Sequence, residues 1–168
     1  ILDNIRNLEP ASALPGRQSS ITGDLPKLEL LRVNTDKEIA TITLDRPKVL
    51  NAINAQMTYE LETLVAWLAG HRELRVAVFT GSGRAFCAGD DVKELEGFTP
   101  EKAREVSHRQ AELFLSFERL PQITIAQING PAIGAGCVLA YSCDFRIASH
   151  AARFGMPEAL LGWPPGYG

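Results

Sequence analysis

Apolar and polar positions alternate over Ile39 to Leu44, with Ala40, Ile42 and Leu44 on one side and Ile39, Thr41 and Thr43 on the other. A period of two marks a strand with one buried face. Leu28 to Val33 alternates too, and the turn-forming Asn34-Thr35-Asp36-Lys37 between the runs predicts a hairpin. The period then changes. Leu61, Leu64, Val65 and Leu68 recur at helical spacing behind Asn54, a good N-cap, until Gly70 stops the run. Val76 to Thr80 is a short apolar strand ended by Gly81-Ser82-Gly83. Thr99-Pro100-Glu101 supplies a cap, a first-position proline and a first-turn acid, opening a helix with Val106, Leu113, Phe117 and Leu120 on one face. Ile123 to Ile128 reads as a strand, Gly130 to Gly136 as a small-residue loop, Val138 to Ser142 as a helix and Phe145 to Ala148 as a strand. A hairpin followed by alternating helices and strands predicts an α/β fold with crossover connections.

The two ends differ from this middle. Residues 1–26 hold Pro10, Pro15, Pro26, Gly16 and Gly23 with little periodicity, which predicts an N-terminal extension or linker and a domain over residues 27–168. The last stretch, Gly162-Trp163-Pro164-Pro165-Gly166-Tyr167-Gly168, is turn-rich and closes no element, so the architecture is expected to be cut short. At 168 residues the chain holds about one domain of ordinary size.

Composition narrows the function classes. Apolar residues at 45% and charged residues at 22% are ordinary for a soluble globular domain, and no long uninterrupted apolar run exists to span a bilayer. Net charge is −3 and the basic residues are scattered, which disfavours nucleic-acid binding. Cys87, Cys137 and Cys143 are an odd set without CxxC spacing, which predicts reduced, packed thiols and a cytoplasmic location. No signal peptide is visible. His71, His108 and His150 have no metal-like spacing, so no metal is expected.

Two glycine-rich loops follow successive apolar strands: Gly81 to Asp91, and Asn129 to Gly136. Neither has the spacing of a nucleotide-phosphate motif. Each could be a tight turn and no more; together they could also bring main-chain N–H groups at two helix starts to one point.

The motifs Leu44-Asp45-Arg46-Pro47-Lys48-Val49-Leu50-Asn51-Ala52, Arg84 to Asp91, Ile128-Asn129-Gly130 through Gly136-Cys137, and Cys143-Asp144 with Phe154-Gly155-Met156-Pro157-Glu158 occur in this order. In them the chain resembles the enoyl-CoA hydratase/isomerase (crotonase) superfamily, from about Lys27 to Gly168. The resemblance implies a crotonase-like spiral of ββα turns, truncated so that the C-terminal helical part is absent, and an acyl-CoA thioester as substrate, with coenzyme A its only cofactor-like part. It implies an enolate held by the N–H groups of Asp90 and Ala135. It assigns CoA and acyl binding to Lys48, Ala52, Ala88, Asp90, Asp91, Val92, Lys93, Gly134, Ala135 and Gly166, and assembly to homo-trimers or hexamers.

One departure matters. Family hydratases use two glutamates, and the first position is Val138 here, which can neither give nor take a proton. The second matches Glu158, so the resemblance implies a single glutamate as general acid/base, enough to move one proton along an enoyl chain. Another crotonase reaction, such as thioester hydrolysis or carbon–carbon cleavage, and a non-catalytic binding module remain the alternatives. Asp91 is expected to anchor its loop, Asp144 to be structural, Trp67 to lie in the core and Trp163 to stand near the pocket.

Overall fold

A computed structural model of the chain describes residues 25–161. Strands β1 (Leu31–Asp36) and β2 (Ile39–Leu44) form the hairpin. Helix α1 (Ala55–Gly70) crosses to β3 (Val76–Gly81). A short helix α2 (Val92–Leu95) and the long α3 (Pro100–Ser116) lead to β4 (Ile123–Ile128). Then come β5 (Pro131–Ile133), α4 (Ala135–Ser142), β6 (Phe145–Ala148), β7 (Arg153–Gly155) and a 3-10 turn over Pro157–Leu161. One sheet runs β1-β2-β3-β4-β6, antiparallel at the hairpin and parallel thereafter; β5 and β7 pair in parallel as a second, two-stranded sheet. The α/β fold read from the sequence is the one observed.

The hydrophobic periods explain these elements. Ala40, Ile42 and Leu44 are fully buried along one face of β2, against Met57, Leu61, Leu64 and Leu68 of α1 and Phe79 of β3 in one continuous core. Trp67 lies in the same core, 9% exposed. Asn54 caps α1 by accepting from the Met57 N–H, and Thr99 caps α3 by accepting from the Lys102 N–H. Among the described residues no helix is long and apolar enough to cross a membrane.

Four sequence expectations shift. The hairpin turn is only Lys37 and Glu38, with Lys37 in the left-handed region at φ 54°; Asn34, Thr35 and Asp36 pair with Thr41, Ala40 and Ile39. The first strand begins at Leu31, because the N–H groups of Glu29, Leu30 and Leu31 all donate to the buried carboxylate of Glu60 on α1 rather than to a neighbouring strand. The small-residue loop contains β5, and α4 begins three residues earlier than its apolar run. Finally, β7 exists only by pairing with β5, Ile133 against Gly155, which no local pattern announces. The expected boundary at residue 26 adjoins residues outside those described.

Candidate active site

The site starts from a turn that few residues could make. Leu50 and Asn51 both take left-handed backbone, φ 54° and 59°, after the 3-10 turn Pro47–Val49. Asn tolerates that region better than most residues. Asn51 is fully buried, and its side chain joins three segments. Oδ1 accepts from the Arg46 N–H at 2.9 Å, and Nδ2 donates to the carbonyls of Ser82 and Ala85 at 2.9 Å and Phe86 at 3.2 Å. Asn129, just after β4, does similar work. It accepts from the Gly81 N–H and donates to the carbonyls of Gly83 and Ala85.

These tethers fix the loop that carries Ala88 to Lys93. The Ala88 N–H donates to Leu50 O, the Ile53 N–H to Gly89 O at 2.7 Å and the Asp91 N–H to Ile53 O at 2.8 Å. In such a parallel bridge the residue between, Asp90, turns its own peptide groups away from Ile53. Arg46 donates through Nη1 and Nη2 to Asp91 Oδ2 at 3.1 Å, and through Nη1 to Ala52 O at 2.6 Å. The pair is mostly buried, 18% and 17% exposed, so the Asp91 carboxylate holds the loop. Glu94 accepts from the Ala55 N–H, tying α2 to the start of α1. Asp90 Oδ1 accepts from Gln110 Nε2 of α3 at 2.8 Å.

The second glycine loop locks onto the first. Phe86 and Cys87 both donate their N–H to Pro131 O, and Ile133 returns its N–H to Cys87 O. Gly89, at φ 92°, lies so close that a Cβ on it would stand 2.8 Å from Ile133 O and 3.4 Å from the amide nitrogen of Ala135. The residue before Asp90 is therefore packed on the Ala135 amide. Ala135 is the first residue of α4, where the N–H has no intrahelical acceptor.

Glu158 reaches the same place from the far end. The Gly134 N–H donates to Gly155 O at 2.8 Å, extending the β5–β7 pairing, and the chain turns through Met156 and Pro157. A Cβ on Gly134 would lie 2.9 Å from Glu158 Oε1 and 3.8 Å from the Gly89 Cα. Gly134 itself sits at φ 53°. Glu158 Oε2 is buried and has no hydrogen-bond partner, one of three such side-chain atoms among the described residues, with Trp67 Nε1 and Gln122 Oε1. A buried carboxylate oxygen left unpartnered is costly and calls for an explanation.

The structure thus brings Ala88, Asp90, Gly134, Ala135 and Glu158 together. Ala52 is buried under Arg46, while Lys48, Val92 and Lys93 are exposed on the turn and on α2, which adjoin through the Arg46–Asp91 pair. Val138 is half-buried in the first turn of α4 and packs on the core. Gly166, with Gly162 and Trp163, lies outside the described residues. No group of three or more metal-ligating side chains occurs among the described residues. His71 stacks on Trp67, and Asp144 accepts from the Thr124 N–H and hydroxyl.

Gln110 is the residue that sequence reasoning missed. Its signal was present: it is the one polar position in the helical stripe Val106, Gln110, Leu113, Phe117, and it is 5% exposed.

Cys87 sits within the locked loops, and burial pushes its thiol up to about 12, as it does that of Cys143. The unfolded thiol titrates near 9.0. The folded protein therefore keeps protons that the unfolded chain gives up, and the stability this contributes is full below pH 9 and is lost as pH rises toward 12. We expect Cys87 and Cys143 to resist iodoacetamide at about pH 8.5 until denaturant is added. The urea midpoint should fall between about pH 9 and pH 11, and less steeply in Cys143→Ala. Rapid labelling of the folded protein would contradict this placement.

Comparison with known proteins follows the same lines. The sequence profile described as Enoyl-CoA hydratase/isomerase matches residues 34–168. Short-chain-enoyl-CoA hydratase of Clostridium acetobutylicum is 38% identical over 144 residues, covering 84% of this chain and 55% of that protein. Crotonyl-CoA hydratase of Syntrophomonas wolfei is 35% identical over 141 residues, covering 83% and 54%. A crystal structure of enoyl-CoA hydratase from Bacillus anthracis superposes with a TM-score of 0.80 at 34% identity, over 83% of this chain and 55% of that one. The chain spans about half the length of the curated relatives it matches. With the profile spanning most of the chain, and sequence and fold agreeing, the chain belongs to the enoyl-CoA hydratase/isomerase (crotonase) family.

Proposed function

We propose that this protein acts on an enoyl-CoA thioester, holding the thioester oxygen with the N–H groups of Asp90 and Ala135 and moving protons with Glu158. The observation that carries the reading is the buried, unpartnered Oε2 of Glu158, set beside a Gly134 that leaves room for it. A carboxylate held that way has an oxygen to spare for a substrate proton. Amide dipoles already fixed in place stabilise an oxyanion without reorganising, typically by about 2.7–4 kcal/mol per donor. In isomerisation Glu158 takes a proton from C2 of a 3-enoyl chain, the charge passes to the thioester oxygen, and Glu158, its proton exchanged with solvent, protonates C4 as the double bond moves to C2.

Lys48 and Lys93, exposed on the turn and on the adjoining α2, would meet the phosphates of CoA, and Ala52, Ala88, Val92 and Gly134 would line its path. Gly166, matched by motif, would close the acyl end. The reaction needs no cofactor beyond the coenzyme A of the substrate. Assembly as a homo-trimer or hexamer and a cytoplasmic location complete the proposal, on the strength of the family resemblance and the buried thiols.

Hydration is the second reading, favoured by the names of the two relatives above. It requires Glu158 alone to activate water, since Val138 contributes no carboxylate. The test is incubation with a 3-enoyl-CoA and a 2-enoyl-CoA in heavy water, followed by mass and deuterium position. A product differing from substrate only by deuterium, its double bond moved to C2, is the expected result. A product one water heavier selects hydration. No conversion of either overturns the reading in favour of another thioester reaction or a binding module.

A further inference from the structure

Asp90 poses an electrostatic problem for the role just proposed. Its amide is to meet a developing oxyanion, yet the same residue carries a carboxylate, and negative charge close to that oxygen would cancel what the amide supplies. The structure deals with this through α3. Gln110 stands within the apolar stripe of that helix, 5% exposed, and donates from Nε2 to Asp90 Oδ1 at 2.8 Å. Asp90 also lines a cleft of about 90 Å³ between α1 and α3, with Gln110, Ile53, Thr58, Phe98 and Val106. Neither Ala135 nor Glu158 is a wall of that cleft. Asp90 stands between the two sides, its carboxylate drawn to α3 and its backbone beside the Gly134–Ala135 loop.

We propose that Gln110 is a positioning residue for the reaction: it holds the Asp90 carboxylate against α3, away from the thioester oxygen, and fixes the direction of the Asp90 N–H. This rests on the reading of that N–H as an oxyanion donor. The packing of Gln110 alone does not explain the arrangement, because an apolar residue would fill the stripe without needing a partner. The Arg46–Asp91 pair and the Ile53 bridge fix the residues on either side, whereas the Gln110 bond acts on Asp90 itself.

The test is a double-mutant cycle in the native protein. Gln110→Ala, which removes this donor from the carboxylate, should lower kcat about ten- to a hundredfold while KM changes less than about threefold. In an Asp90→Ala background, where no charge remains to be misplaced, the same substitution should change kcat less than about twofold. Gln110→Met, closer in volume, keeps the helix packed and should repeat the pattern. Equal losses in both backgrounds, an unchanged kcat in Gln110→Ala, or failure of both Gln110 variants to fold would overturn the proposal and leave Gln110 structural. Failure of the functional reading looks different: the unaltered protein would then convert no enoyl-CoA at all.

Discussion

Replacing Glu158 by Gln is expected to leave the fold standing and to remove turnover. Gln has the shape of Glu, and Oε2 has no partner whose bond would be lost, so the substitution disturbs little around it. What disappears is the capacity to accept a proton and return it. General acid–base groups contribute about 10²–10⁴-fold, and with Val138 at the other family position no second carboxylate compensates, so kcat should fall by about that factor or more. Binding should survive, because the amides of Asp90 and Ala135 are untouched; the Kd for an unreactive acyl-CoA analogue, read by calorimetry, should change less than about threefold. An unchanged kcat would remove Glu158 from the mechanism and favour a reaction that uses only the amides of Asp90 and Ala135.

Asn51→Ala is expected to be the most damaging single change to the framework. The side chain is fully buried and serves the carbonyls of Ser82, Ala85 and Phe86 and the N–H of Arg46, while its backbone sits at φ 59°. Alanine supplies none of those bonds and is strained there. Unsatisfied buried groups cost about 1–3 kcal/mol each, partly relieved by relaxation, so a loss of roughly 3–5 kcal/mol is expected. Urea unfolding would show it as a large drop in midpoint with little change in slope. A midpoint near that of the unaltered protein would mean that the Gly81–Phe86 loop is held by other bonds.

The elements legible in the sequence are those whose cause is local. Ala40, Ile42 and Leu44 on one strand face, the Asn54 and Thr99 caps, and the Leu61–Leu68 stripe each carry their structural reason in neighbouring residues. What could not be read has its cause elsewhere in the chain. Strand β7 is three residues long and exists because Ile133 lies opposite Gly155, and the first strand starts late because Glu60, about thirty residues on, captures its N–H groups. The motif resemblance carried Asp90, Ala135 and Glu158, and the structure puts them side by side. Asp91 is legible as a loop anchor but its partner, the partly buried Arg46, is not, and Gln110 is visible only as a polar residue in an apolar stripe.

The Asp90 and Ala135 amides and the Glu158 carboxylate are held by parts of the molecule with different resistance to opening. The amides sit in two loops sewn to each other through Pro131, Cys87 and Ile133 and to the turn at Asn51, deep enough that exposing them means disrupting the core. Glu158 hangs from β7, three largely exposed residues whose pairing among the described residues is with β5 alone. Local opening of that strand withdraws the carboxylate while the amides stay in place. On the mechanism proposed above, such an opened form would hold a thioester without converting it, and hydrogen exchange at Gly134 and Gly155 reports its population.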